Sequence, residues 1–105
     1  MSAYTVVRGR VTDMQRFVAY IKAVPAVVEQ YGGRYLVQGG ESEILEGPSD
    51  ESKIVIHQWP DAEAARAFWN SPEYLEVKRL REGAGEFQVT LVEGVENLSQ
   101  GSAQN

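Results

Sequence analysis

The chain has 105 residues, the length of one domain, and contains no cysteine, which excludes disulfides, thiolate metal sites and cysteine nucleophiles. Its 15 acidic residues against 10 basic ones give a net charge of -5, which argues against nonspecific binding to nucleic acid or to an anionic membrane. The sequence shows no signal peptide and no apolar run near the roughly 20 residues that span a bilayer. We therefore expect a cytoplasmic protein with one domain at residues 1–96 and a polar C-terminal tail at residues 97–105.

The first part of the chain predicts a strand followed by a long helix. Residues 4–11 are rich in Tyr, Val and Thr, which favour strands. Thr12 and Gln15 fit a capping box, so we expect the helix to start there. Apolar residues then recur at helical spacing as far as Gly32-Gly33, where a glycine C-cap ends the helix. Pro25 lacks an N–H and its ring crowds the preceding turn, so it predicts a kink or a break within this helix.

The middle of the chain predicts two further strands. Residues 34–38 form the first of these, and Gly39-Gly40 is expected to mark a bulge or bend, because strand-like residues resume as far as Leu45. A turn at residues 47–50 follows. Residues 53–59 are the strongest strand in the chain, because β-branched and aromatic side chains dominate them.

The last part predicts two short helices and a final strand. Asp61 caps a helix over residues 62–70, and Ser71-Pro72 restarts the helix with a serine N-cap and proline at its first position. Glycines from Gly83 onward end this second helix. Residues 87–95 then form the last strand.

The order strand–helix–strand–strand–helix–strand predicts an α+β fold, the ferredoxin-like βαββαβ sandwich with a four-stranded antiparallel sheet and both helices on one face. A sheet with one face in water should alternate apolar and polar residues. The third strand instead carries Ile54 and Ile56 on one face and Val55 and Trp59 on the other. A second copy of the chain covering the face without helices explains this pattern, so we expect a homodimer through the sheet face. The alternative is that short strands tolerate a few exposed Val and Thr residues.

The single histidine is the candidate catalytic residue. The ordinary pKa of histidine lies near 6.5, so His57 is suited to proton transfer at neutral pH. Arg8 lies on the neighbouring central strand, and if both share a face, the pair can bind and polarise a carboxylate or enolate. The alternative is a half-buried histidine with a structural hydrogen bond. No ligand-spaced cluster accompanies His57, so we expect no metal and no cofactor.

Arginines and aromatic residues complete the candidate ligand site. Arg8 and Arg34 can grip a carboxylate, although cross-strand ion pairs with glutamates would explain them equally well. Trp59, Trp69 and Tyr74 are candidate ligand-binding residues because aromatic side chains line most small-molecule pockets, although they also fill cores and interfaces.

An ordered set of short motifs over roughly residues 4–96 resembles the family called domain of unknown function 1330. These motifs are Tyr31-Gly32-Gly33-Arg34-Tyr35, Gly39-Gly40, Leu45-Glu46-Gly47, Trp59-Pro60-Asp61, Ala64-Ala65-Arg66-Ala67-Phe68-Trp69, Ser71-Pro72-Glu73-Tyr74 and Leu91-Val92-Glu93-Gly94. The resemblance implies the dimeric α/β-barrel superfamily, whose members place ligands in a cleft between sheet and helices. These members include cofactor-free monooxygenases, haem-degrading enzymes, muconolactone isomerases and ligand-binding regulators. Family members often carry an acidic residue where His57 stands, so the resemblance assigns no shared role to this histidine.

Two functions follow from these observations. The first is a small-molecule binder or enzyme that acts on an anionic or aromatic compound in the sheet–helix cleft by metal-free acid/base or oxygenation chemistry. The second is a noncatalytic homodimeric module with a structural or regulatory role. A nucleic-acid-binding domain of this shape would need a basic surface, which the net charge of -5 opposes.

Overall fold

The structure is a computed structural model that describes residues 1–95, so the polar tail predicted at residues 97–105 lies outside the described residues. In chain order the elements are β1 (Ala3–Val11), α1 (Met14–Gln30), β2 (Arg34–Gln38), β3 (Lys53–Trp59), α2 (Ala62–Trp69), α3 (Pro72–Lys78), a 3-10 turn (Arg79–Arg81) and β4 (Gly85–Glu93). Among these residues, no helix combines the length and apolar character needed to cross a membrane.

The four strands form one antiparallel sheet in the order β2-β3-β1-β4, which is the predicted ferredoxin-like arrangement with β1 and β3 in the centre. Directly paired residues of neighbouring strands point to the same face. Thr5 pairs with both His57 and Leu91, and Gly9 pairs with both Lys53 and Phe87. The odd-numbered residues of β1 and β3 therefore face the helices, which all lie on one side of the sheet.

The start of α1 differs from the predicted capping box. Asp13 is the N-cap, and its carboxylate accepts a hydrogen bond from the Arg16 amide at 3.1 Å, whereas the Thr12 hydroxyl donates to the Ala84 carbonyl. The predicted break at Pro25 is also absent, because α1 continues through it to Gln30. Pro25 removes one helical hydrogen bond, but buried valines on both sides of it, Val24 and Val27, hold the helix against the core.

The segment after β2 is irregular, so the predicted strand as far as Leu45 was wrong. Gly39 has a φ of 72°, and residues 40–52 form no strand. Leu45 is 88% exposed because this segment has no neighbouring strand to pair with. Of the bulge or bend predicted at Gly39-Gly40, the bend is present at Gly39, and the bulge lies between Tyr35 and Val37.

The two short helices begin as predicted. The Asp61 carboxylate accepts from the Ala64 amide at 2.8 Å, and the Ser71 hydroxyl oxygen accepts from the Tyr74 amide at 3.0 Å. These caps satisfy backbone donors that the first turn of a helix leaves unpaired. Together they turn the chain between α2 and α3 and place Tyr74 in the core.

The core lies towards one end of the sheet. Its buried apolar members are Val24, Val27, Val28, Trp59, Ala65, Phe68 and Tyr74. Helix α1 lies near α3 and the 3-10 turn, and it reaches the sheet through side chains, such as the Phe17 ring that stacks on Phe87 of β4 with centroids 5.4 Å apart. Side chains do not fill the space between α1 and the centre of the sheet, and this space forms a cavity.

Candidate functional site

A cavity of about 480 Å³ lies between α1 and the helix-facing side of the sheet. Its floor is one row of paired valines across the three strands β3, β1 and β4, namely Val55, Val7 and Val89. Most of its remaining wall is aromatic or aliphatic. An apolar cavity of this size with a few polar groups is typical of a small-molecule site.

His57 enters this cavity from the row of Thr5, at the end nearest the core. The Trp59 indole Nε1–H donates to Thr5 Oγ1 at 3.0 Å, and Thr5 Oγ1 lies 2.8 Å from His57 Nδ1. An indole N–H only donates, so the Thr5 hydroxyl oxygen accepts from it with one of its two lone pairs. Within residues 1–95, Nδ1 is the one side-chain acceptor paired with this hydroxyl, so directing the hydroxyl hydrogen to Nδ1 satisfies both groups. We therefore assign Nδ1 as the acceptor and place the proton of the neutral ring on Nε2.

Burial controls the charge of this histidine. His57 is only 7% exposed, and desolvation lowers its pKa from 6.5 to about 4. The imidazole is therefore neutral at physiological pH. Its Nε2 makes no hydrogen bond within residues 1–95, and the aromatic ring of Tyr35 packs edge-on against it with the centroids 4.6 Å apart. The ring thus keeps one N–H donor for a molecule in the cavity.

Two tyrosines and an arginine form a second polar group in the cavity wall. The hydroxyls of Tyr20 and Tyr74 are 3.0 Å apart, and Arg81 Nη2 lies 3.5 Å from the Tyr74 hydroxyl. Burial raises the pKa of Tyr20, so this phenol stays protonated. The Arg81 guanidinium lies over the Phe87 ring, 4.5 Å from its centroid, in a cation–π contact.

The structure brings together three of the six residues that the sequence nominated. His57, Trp69 and Tyr74 line the cavity. Trp59 is buried beneath it, and its ring packs so closely on Gly33 that a Cβ there would come within 2.6 Å. Trp59 therefore reaches the cavity only through its hydrogen bond to Thr5.

The two nominated arginines lie on the other face of the sheet. Arg8 pairs with Ile54, whereas His57 pairs with Thr5, so Arg8 and His57 point to opposite faces and the expectation that they share one was wrong. Arg34 is exposed, and its Nε donates to Gln58 Oε1 at 2.9 Å. Neither arginine can contact a molecule that also contacts His57 in the same subunit.

Sequence reasoning did not identify Thr5, Tyr20 or Arg81 as members of this site. Thr5 could have been found from strand parity, because it alternates with Val7, but its pairing with His57 depends on register. Arg81 falls within the helix that was predicted to continue to Gly83, but α3 ends at Lys78, and Arg81 closes the 3-10 turn and lies over Phe87 of β4. As for metals, the described part of the chain contains no group of three His, Asp or Glu side chains that could hold an ion.

Comparison with known proteins identifies the family. A family model described as Domain of unknown function (DUF1330) matches residues 2–95. The chain belongs to this family. No curated protein matches the chain.

Solved structures share the fold of this DUF1330 protein at low sequence identity. A protein of unknown function from Rhodopseudomonas palustris has a TM-score of 0.74 and 20% identity, with 90% of this chain and 83% of that chain covered. A dimeric ferredoxin-like protein of unknown function from Jannaschia sp. has a TM-score of 0.66 and 13% identity, covering 90% and 100%. SnoaB, a cofactor-independent oxygenase from Streptomyces nogalater, has a TM-score of 0.64 and 18% identity, covering 94% and 98%. These similarities establish the ferredoxin-like fold.

Proposed function

We propose that this protein binds a small aromatic carbonyl compound in the cavity and polarises its carbonyl oxygen through His57. The observation that carries this proposal is a buried, neutral imidazole that lines an apolar cavity of about 480 Å³ and whose Nε2 makes no hydrogen bond within residues 1–95. A carbonyl oxygen within hydrogen-bond distance of Nε2 would accept a hydrogen bond from the Nε2–H. The valine floor and the aromatic walls would bury the rest of the ligand.

The chemistry that this arrangement favours is formation of an enolate. When a carbon next to the carbonyl loses a proton to a water or hydroxide from solvent, negative charge develops on the carbonyl oxygen, and a fixed donor in an apolar site stabilises that charge. A neutral imidazole with a lowered pKa acts as such a donor without transferring its own proton. Enolate formation is shared by isomerisation and by oxygenation without a cofactor. SnoaB is described as a cofactor-independent oxygenase, which makes oxygenation the first activity to test.

We further propose that the working unit is a cytoplasmic homodimer formed through the sheet face without helices. In one subunit this face carries the apolar side chains of Val6, Ile54, Ile56 and Val92 together with the Tyr4 ring. Large contiguous apolar patches seldom stay exposed, and a two-fold axis would pair this one with itself. The related Jannaschia structure is described as dimeric. The cavity opens on the opposite side of the sheet, so each subunit would keep its own site.

The binding proposal is tested with 1-tetralone, a neutral aromatic ketone that can form an enolate. Trp69 lines the cavity, so saturable quenching of tryptophan fluorescence reports binding, and the Trp69→Phe variant should lose most of the signal. His57→Phe should weaken binding and abolish any catalysed deuterium exchange at the carbon next to the carbonyl. Arg34→Gln, on the opposite face, is the matched control and should leave both unchanged. An oxygen electrode tests oxygenation, and absence of saturable binding by the wild type would overturn the proposal.

A further inference from the structure

We propose that the cavity selects an aromatic carboxylate and that Arg81 binds its carboxylate group, in the row of Gly9 that also contains Lys53, at the end of the cavity away from His57. This inference rests on the proposed function, because it assumes that the cavity binds an aromatic carbonyl compound. It adds the charge of that compound and the direction in which it lies.

The charges around the cavity carry the first part of the argument. The chain contains 15 acidic residues and 10 basic ones, yet no Asp or Glu of the described residues lines the cavity. Two basic side chains, Arg81 and Lys53, do line it. An anionic ligand would therefore meet only positive side-chain charge, although the protein as a whole is negative. Low polarity around such a site strengthens the attraction.

Most guanidinium N–H donors of Arg81 make no side-chain hydrogen bond within residues 1–95. Arg81 takes part in none of the ion pairs found within residues 1–95, which are Arg10–Glu86, Arg16–Asp13 and Arg79–Glu76. Its one side-chain hydrogen bond in this part of the chain is the 3.5 Å contact with the Tyr74 hydroxyl. A guanidinium carries five N–H donors in a planar fork that matches the two oxygens of a carboxylate. The guanidinium is held between the Phe87 and Tyr20 rings, 4.5 Å and 5.5 Å from their centroids, and these cation–π contacts use none of its N–H donors in hydrogen bonds.

The sheet register sets the direction of the ligand. His57 lies in the row of Thr5, whereas Lys53 and Phe87, which supports Arg81, lie in the row of Gly9. These rows are four residues apart on one strand, or roughly 13 Å. The carbonyl and the carboxylate of the ligand therefore belong at opposite ends of it. Two fused rings with the groups at opposite ends have this arrangement and would cover the valine floor.

The centre of the Gly9 row is also shaped for a flat ligand. A Cβ on Gly9 would come within 2.7 Å of the Phe87 ring, so this ring lies directly over the glycine backbone. The absence of a side chain at Gly9 lets Phe87 lie low against the sheet, with Arg81 stacked above it. The cationic end therefore combines the guanidinium with the Phe17 and Phe87 rings, which stack with their centroids 5.4 Å apart, and this suits the carboxylate end of an aromatic acid.

The experiment compares two ligands that differ only in charge, 1-tetralone-6-carboxylate and 1-tetralone-6-carboxamide. The carboxylate should bind wild-type protein roughly 10- to 100-fold more tightly, the range expected for hydrogen bonds to a charged group. Arg81→Gln should remove this preference while leaving carboxamide affinity within about twofold. Arg81→Met, which keeps an apolar stem over Phe87, gives the same test should the glutamine variant fold poorly. Lys53→Gln should reduce the preference in part, and Arg34→Gln should not change it.

The outcomes separate this inference from the function on which it rests. Equal affinity of the wild type for the two ligands would overturn the carboxylate site but leave the binding proposal intact. A carboxylate preference that persists in both Arg81 variants would overturn the role of Arg81. Failure of both ligands to bind would overturn the inference and the proposed function together.

Discussion

Replacing His57 should remove a specific pH dependence from the stability of the protein. Because His57 is the only histidine, its titration can be isolated by a single substitution, His57→Gln. Burial lowers its pKa from 6.5 in the unfolded chain to about 4 in the folded state. Between these values the unfolded state binds more protons, so the free energy of unfolding must fall as the pH falls.

The size of this effect follows from the two pKa values. The histidine contribution is fully present above pH 6.5 and is lost progressively as the pH falls towards 4, by about 3 kcal/mol in total. At pH 5 the unfolded histidine is almost fully protonated, whereas the folded one is about one-tenth protonated. We therefore expect the free energy of unfolding of the wild type to fall by about 2 kcal/mol from pH 7.5 to pH 5 through this group.

Urea unfolding at several pH values between 7.5 and 5, with wild type and His57→Gln at one protein concentration, measures the difference directly. A fixed concentration is needed because dimer formation would make stability concentration-dependent. The variant should lose the histidine part of the slope and keep the part due to carboxylates. In parallel, the Cε1–H proton resonance of the single histidine reports its pKa. Equal slopes for the two proteins, or a measured pKa of 6 or above, would falsify the assignment of a desolvated neutral imidazole.

Three further substitutions test the arrangement around the site. Thr5→Val should destabilise the protein by about 2–3 kcal/mol in urea unfolding, because it leaves the Trp59 indole N–H buried without an acceptor, whereas Thr5→Ser should lose less than half as much. Ile56→Lys, on the proposed dimer face, should produce monomers in sedimentation analysis, and a dimer of unchanged affinity would contradict that interface. Asp61→Ala should cost about 1 kcal/mol through loss of the α2 cap, and no change in the urea midpoint would refute it.

The strand pattern was predictable because each strand carries its own local signal. The bounds of β2 and β3 agree with the prediction, and β1 differs by one residue, since β-branched runs are clearly interrupted by Gly, Pro and Asp. Local signals failed where neighbours decide the outcome. Pro25 stays helical because buried valines hold α1, and the segment near Leu45 stays irregular because it has no strand to pair with.

The candidate site was harder to predict, because a site depends on which residues face each other across strands. Residue types singled out His57, Trp69 and Tyr74, and all three line the cavity. Arg8 was placed beside His57 because both lie on central strands, but strand adjacency does not specify the shared face. The strand register decides the face, and it pairs His57 with Thr5, which places Arg8 on the opposite face. Arg81 required the tertiary path of the chain after α3, which no local pattern encodes.

The two faces of the sheet divide the proposed roles between them, and this division explains the unusual burial of His57. A histidine that must stay neutral needs a site without water, and the Thr5 row provides one beside the Trp59 and Phe68 core. A cavity, however, needs space that packing would normally remove, and here that space lies between α1 and the valines of the sheet. The histidine site and the cavity both reduce the apolar surface that this small domain buries on the helix side of its sheet. Association through the opposite face would compensate with burial that leaves the cavity open, so the proposed dimer and the proposed site support each other.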